Sequence, residues 1–230
     1  MQRSDSTFGS RVYDFYTGLK RPRVPRGVTV MNPYADARVR RCLRSFVAKY
    51  YADNEPRTLV LGINPGRFGA GITGVTFADP VALADFCGIE TGLPRRRELS
   101  SVFVYDFINR FGGPAEFHRQ FFLTAISPLG FTLAGKNMNY YDDPALAKAV
   151  TPFIVRSIEQ QIEIGGRRDR AIVLGTGANF KFVQRLNAQH GFFETLEALD
   201  HPRFIMQYRR KRLEEYLEKY VRTLRGLDSN

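Results

Sequence analysis

The chain is poor in the residues that build metal centres, redox couples and membrane anchors. Its 230 residues include two cysteines, Cys42 and Cys87, with no CxxC spacing. Two thiols are too few for a structural zinc or an iron–sulfur cluster, so both read as reduced core residues, and no metal or cofactor is expected. No apolar run approaches the roughly 20 residues that cross a bilayer, and the opening stretch MQRSDSTFGSRVYDFY lacks the apolar segment of a secretory signal. A cytoplasmic location without membrane contact is the expectation. Negative charge is also in deficit, with 23 Asp and Glu against 34 Lys and Arg, a formal net charge of +11. Such an excess points to a polyanionic partner, with a merely soluble basic surface as the plainer alternative.

Two phosphate-binding signatures are missing as well. The run LGINPGRFGAGITGVTF (61–77) is rich in glycine, yet it contains neither GxxxxGK[ST] nor GxGxxG. Its glycines therefore serve something other than a phosphate cradle of those kinds. Asn64 precedes Pro65, which pushes its backbone to an extended conformation and ends a strand with a neutral amide at the sheet edge. Gly66 leaves the adjacent spot without a side chain, where another molecule can approach. Phe77 offers a flat face at the end of the same loop. A chain-reversing Asn-Pro-Gly turn and a hydrophobic anchor at Phe77 are the structural alternatives.

The remaining composition, 43% hydrophobic and 25% charged, is that of an ordinary globular protein, and the length suits a single domain over residues 1–230. Val39, Leu43, Phe46, Val47 and Tyr50 recur at helical spacing within 37–51. Strands are expected at 57–63, 121–127, 171–175 and 192–199. Helices are expected from Pro80 to about Gly88, over 100–113, 144–163 and 178–189, and as one continuous final helix over 207–225. Alternating strands and helices predict an α/β fold with a mostly parallel sheet. The stretch 128–143 reads as irregular and long enough to suggest function. Asn64, Ser127, Gly175 and His201 all fall at strand ends, where open α/β sheets bind ligands.

GINPGRFGAGITGVTF resembles the first motif of the uracil-DNA glycosylase superfamily, in the form carried by the single-strand-selective monofunctional (SMUG-type) family. DHPRFIMQYRRKR is similar to the second motif, and MNPY, SPLGFT and GKNMNYYD suggest the second, bacterial SMUG-type subgroup across nearly the whole chain. The resemblance implies a three-layer α/β/α domain acting on uracil-containing DNA, single-stranded with duplex left open, as a monomer without cofactor. The activity implied is base flipping followed by water attack on the N-glycosidic bond, leaving an abasic site. Asn64 matches the residue that positions the water, and His201 the donor to uracil O2. Gly62, Gly66, Phe68 and Phe77 would form the base pocket, with Phe77 stacking on the base. At Gly66, other branches of the superfamily carry a Tyr that blocks the uracil 5-position, so 5-substituted uracils are implied as further substrates. Arg67, Arg203, Phe204, Gln207, Arg209, Arg210 and Lys211 would hold and open DNA. In that segment Tyr208 is expected to be buried rather than to intercalate. The first motif holds no lysine and the second only Lys211, at its basic end and assigned to DNA, so lyase chemistry is not expected.

One departure stands out. SMUG-type relatives carry a uracil-reading Asn on the central strand, where this chain has Ala125. Ser127 or backbone groups are the expected substitute, with Asn137 and Asn139 as alternatives. The missing amide keeps a second reading open, a base-binding module with little or no catalysis. Hydrolysis of a free nucleoside is a third, disfavoured by the basic segment.

Overall fold

The computed structural model describes residues 6–226, so both ends of the 1–230 span lie outside the described residues. In chain order the elements are α1 (Phe8–Thr17), β1 (Val28–Met31), α2 (Ala37–Tyr50), β2 (Arg57–Gly62), α3 (Ala70–Thr73), α4 (Pro80–Asp85), α5 (Leu99–Phe111) and α6 (Pro114–Gln120). They continue with β3 (Phe121–Ala125), β4 (Gly130–Leu133), β5 (Lys136–Met138), α7 (Pro144–Gly165), β6 (Gly166–Leu174), α8 (Ala178–His190), β7 (Thr195–Leu199), α9 (Pro202–Tyr208) and α10 (Leu213–Leu224). The main sheet has the order β3-β2-β6-β7 with every pair parallel, flanked by helices as a three-layer α/β/α domain.

β2 is central, and its run of branched aliphatics is buried, as a strand covered on both faces requires. Its first residue is the exception that proves expensive to bury. The Arg57 guanidinium is fully enclosed, donating to His118 O (2.7 Å) and Glu55 O (2.8 Å) and pairing with Asp53 (2.9 Å). Phe8 and Tyr51 cover it at 4.4 and 4.9 Å from their ring centres. Every strong donor position is thus matched, which is what a buried cation needs.

Three expectations need correction. The stretch 128–143 is not irregular: β4 and β5 form a hairpin through Ala134 and Gly135, and β1 adds to β4 in a second, antiparallel sheet ordered β1-β4-β5. Its strands are three or four residues long, too short for periodicity to reveal. The final helix is not continuous. α9 starts on Pro202 as its first residue and stops at Tyr208, a turn over Arg210–Arg212 follows, and α10 begins at Leu213. Three adjacent cations sit in the break. Strand β6 also runs earlier than 171–175, because Gly166 pairs with Arg57 across a bulge.

Candidate active site

The carboxyl ends of β2 and β3 open into a crevice of about 280 Å³. Its walls come from the 62–77 loop, the segment following β5, and α9. Asn64 stands where β2 ends, and its amide is held at both heads. Nδ2 donates to Pro65 O and to Met138 O, each at 3.3 Å, and Oδ1 accepts the Tyr140 backbone N–H at 3.1 Å. A backbone N–H can only donate, so the amide orientation is determined by the network. The second lone pair of Oδ1 stays available.

His201 ends the β7–α9 connection as the N-cap of α9, with Nδ1 accepting the Arg203 backbone N–H at 3.2 Å. That bond leaves Nε2 as the protonated nitrogen. Burial first, and the Arg203 charge second, lower the imidazole from its usual value to about 4. A neutral imidazole with a donating Nε2 therefore lines the crevice.

Phe77 packs beside it, ring centres 5.7 Å apart and planes 53° apart. Phe77 adopts φ 55°, uncommon for a bulky side chain and the kind of strain that surrounding structure must enforce. Thr73 helps enforce it, its buried hydroxyl donating to Ala78 O at 2.6 Å. Gly62 is required by the same ring, since a Cβ there would lie 2.8 Å from Phe77. Gly71 answers a different need: a Cβ would come within 2.1 Å of Gly66 O, which accepts the Gly71 N–H at 3.1 Å. The glycines of this loop fold it tightly on itself.

At Gly66 the opening is partly covered. Asn137, carried on β5, places Nδ2 3.2 Å from where a Gly66 Cβ would be, while its Oδ1 accepts the Arg67 backbone N–H at 3.0 Å. Phe68 lines the crevice with Arg96 over its ring at 3.8 Å. Ala125 lines the crevice too, but Ser127 does not. Ser127 is fully buried, its hydroxyl donating to Leu129 O at 2.7 Å and its N–H to Ile63 O at 3.0 Å, so it has no surface to offer a base. Gly175 is likewise outside the crevice wall.

Arg203, Phe204 and Gln207 project from α9 onto the rim. Arg209, Arg210 and Lys211 are exposed just beyond, and none has an acidic partner among the described residues. Arg209 instead lies 5.0 Å from the Phe204 ring centre. Burial of Tyr208 is overturned: it is 67% exposed at the crevice, 5.6 Å from the Phe204 ring. The early end of α9 turns it outward, away from the face it would have on one continuous helix. Two of the three arginines at 95–97 are engaged by Asp85.

Asn139, named as an alternative reader, lines the wall, and residue patterns missed Thr76, Glu98, Ser100 and Met138 there. Glu98 is legible in part as a capping signal. It precedes Leu-Ser-Ser and accepts the Ser101 N–H at 3.2 Å, although nothing in the sequence brings it to the crevice.

A planar-ring pocket at the strand ends of an α/β/α sheet, with two oriented neutral groups and a cationic aromatic rim, has the features of a site that takes up a nucleic-acid base. The profile of the Uracil DNA glycosylase superfamily matches residues 48–225. The crystal structure of wild-type SMUG2 from Pedobacter heparinus is similar to this chain at 43% identity, covering 97% of this chain and 99% of that one with a TM-score of 0.94. The comparison with curated proteins gave no match. The chain belongs to the uracil-DNA glycosylase superfamily and, within it, to the SMUG type; it is a monofunctional DNA-repair hydrolase acting on N-glycosyl bonds.

Proposed function

We propose that uracil is flipped from DNA into the crevice, stacked on Phe77, and released by a water that Asn64 orients toward C1′. Breaking the N-glycosidic bond builds positive charge on the sugar and negative charge on the leaving base. The electrophilic sugar needs an oriented water rather than a strong base, and an amide oxygen with one free lone pair suffices. His201 donates from Nε2 to uracil O2 as charge develops there; a neutral donor fixed in advance costs no reorganisation at the moment of reaction.

Asn137 takes the reading role that Ala125 lacks. Its Nδ2 is a donor only, so it complements the O4 of uracil and opposes the amino group of cytosine. Gly66 and Asn137 together leave the 5-position to a movable amide rather than a fixed ring. Phe204 and Tyr208 form an aromatic pair beside the crevice, suited to stacking on bases that flank the flipped one. Single-stranded DNA is the favoured form, because extrusion from a duplex adds a cost of a few kcal/mol. A monomer is carried by the family likeness alone, and the only lysine of the two motif segments, Lys211, lies outside the crevice wall, which supports hydrolysis without a lyase step.

The observation that carries this reading is the oriented Asn64 amide facing the same cavity as a neutral His201. Single-turnover excision from a labelled single-stranded oligonucleotide bearing one uracil tests it. Asn64→Ala is expected to slow cleavage by about 10²–10³-fold while oligonucleotide binding stays within about twofold. Equal rates in the two proteins would remove Asn64 from the mechanism.

A further inference from the structure

A second groove lies between α7 and α8, with a volume of about 600 Å³. Lys148 projects from α7, and Lys181 and Arg185 from α8 at a spacing that puts both on one face. All three are exposed, and none forms an ion pair among the described residues. Arg185 lies 5.3 Å from the ring centre of Phe182, and Tyr141 supplies a second ring at the upper end. No carboxylate lines the groove. The nearest in sequence, Asp142 and Asp143, are engaged elsewhere: Asp142 accepts the Asn139 N–H at 2.8 Å, and Asp143 caps α7 through the Leu146 N–H at 2.7 Å.

The groove and the catalytic crevice share no lining residue, but two sets of contacts link their walls. Tyr141 follows Tyr140, whose N–H holds Asn64 and whose ring packs on Phe182 at 4.8 Å. Ala178 follows the turn at Thr176, whose hydroxyl donates to Asp200, the residue before His201. α8 begins just after β6, the neighbour of β2, and α7 begins just after the β5 segment that holds Asn64, so the groove starts beside the crevice. From Pro144 to Thr151 the groove extends for about 10 Å of helix, enough to face two or three phosphates.

We propose that the α7–α8 groove binds the sugar–phosphate backbone of the DNA strand flanking the flipped nucleotide, through Lys148, Lys181 and Arg185. This rests on the glycosylase reading above, because the flipped nucleotide sets where the strand starts. A nucleic-acid strand is favoured over an acidic protein segment because three cations and two aromatic rings stand together beside the crevice of a chain that acts on DNA.

The test uses the full chain with Lys148→Gln, Lys181→Gln and Arg185→Gln combined, beside Arg185→Lys. Binding of a long single-stranded uracil oligonucleotide is followed by fluorescence anisotropy against salt, and cleavage is measured on that substrate and on one too short to reach the groove. Losing three phosphate contacts is expected to reduce the slope of log K against log salt by about 2. Long-substrate KM should rise about tenfold or more, short-substrate cleavage should stay unchanged, and Arg185→Lys should keep most of the slope. An unchanged slope with normal cleavage overturns the groove and leaves the glycosylase reading intact. A reduced slope without uracil cleavage by the wild type does the reverse. An unchanged slope, with binding of a poly-glutamate peptide that the variant loses, overturns the proposal in favour of an acidic protein.

Discussion

The chemistry of this site depends on which end of an amide points where. Asn64 and Asn137 each have one head committed to a backbone N–H, Tyr140 for the first and Arg67 for the second. The commitment leaves Asn64 with a second lone pair on Oδ1 and Asn137 with a donor beside Gly66. At Asn137, replacement by Asp would keep the bond from Arg67 N–H but present an acceptor to the base. Asn137→Asp should therefore slow uracil excision by about tenfold or more and narrow the preference for uracil over cytosine. Single-turnover rates on matched uracil and cytosine oligonucleotides check this, and unchanged rates with an unchanged ratio would return base reading to other groups.

At the scale of elements, the β4–β5 hairpin delivers three of the contacts that shape the crevice: Asn137, the Met138 carbonyl and the Tyr140 N–H. Its two-residue turn places both Ala134 (φ 47°) and Gly135 (φ 71°) in the left-handed region. Such turns favour Asn or Gly at the first position, and alanine there is strained by about 1 kcal/mol. Ala134→Asn is expected to raise Tm by a few degrees without altering uracil excision. A fall in Tm would show that the turn is held in some other way. The hairpin was illegible in the sequence because three- and four-residue strands carry no periodic signal, whereas α2 and α10 announced themselves through stripes such as Val39, Leu43, Phe46 and Val47, all buried. α9 was misread for the converse reason: apolar spacing continues from Ile205 into α10 although the backbone breaks at Arg209.

For the molecule as a whole, acid is the informative perturbation. His118 is buried beside Arg57, its Nδ1 within hydrogen-bond distance of Tyr51 OH (3.1 Å) and its Nε2 without a partner among the described residues. Burial first and the Arg57 charge second lower its value to about 3. The folded value lies below the unfolded one of about 6.5, so the unfolded chain binds the extra proton between those limits. Stability is therefore retained above about pH 6.5 and falls below it, by up to about 1.4 kcal/mol per pH unit from this residue until pH approaches 3. His201, lowered to about 4, adds a loss of the same sign. Urea unfolding at pH 7 and pH 5 should show the drop, and His118→Gln should reduce it. A wild-type stability that is flat across that interval would contradict a neutral buried His118.

The sequence alone determined the layer architecture, because strand runs and helical stripes are local patterns, and it determined the family, because Asn64, Gly66, Phe77 and His201 keep their order and spacing. Tertiary structure decided which residues share a surface. Ser127, two residues beyond the crevice-lining Ala125, turned out to be sealed behind it, and Tyr208, just before the helix break, turned out to be exposed on its rim. It also set the orientation of each amide, since these depend on partners distant in the chain: Asn64 is held from 74 and 76 residues away and Arg67 meets Asn137 from 70. Side-chain type is a property of position in the sequence, but the direction in which an amide points is a property of the backbone that folds against it.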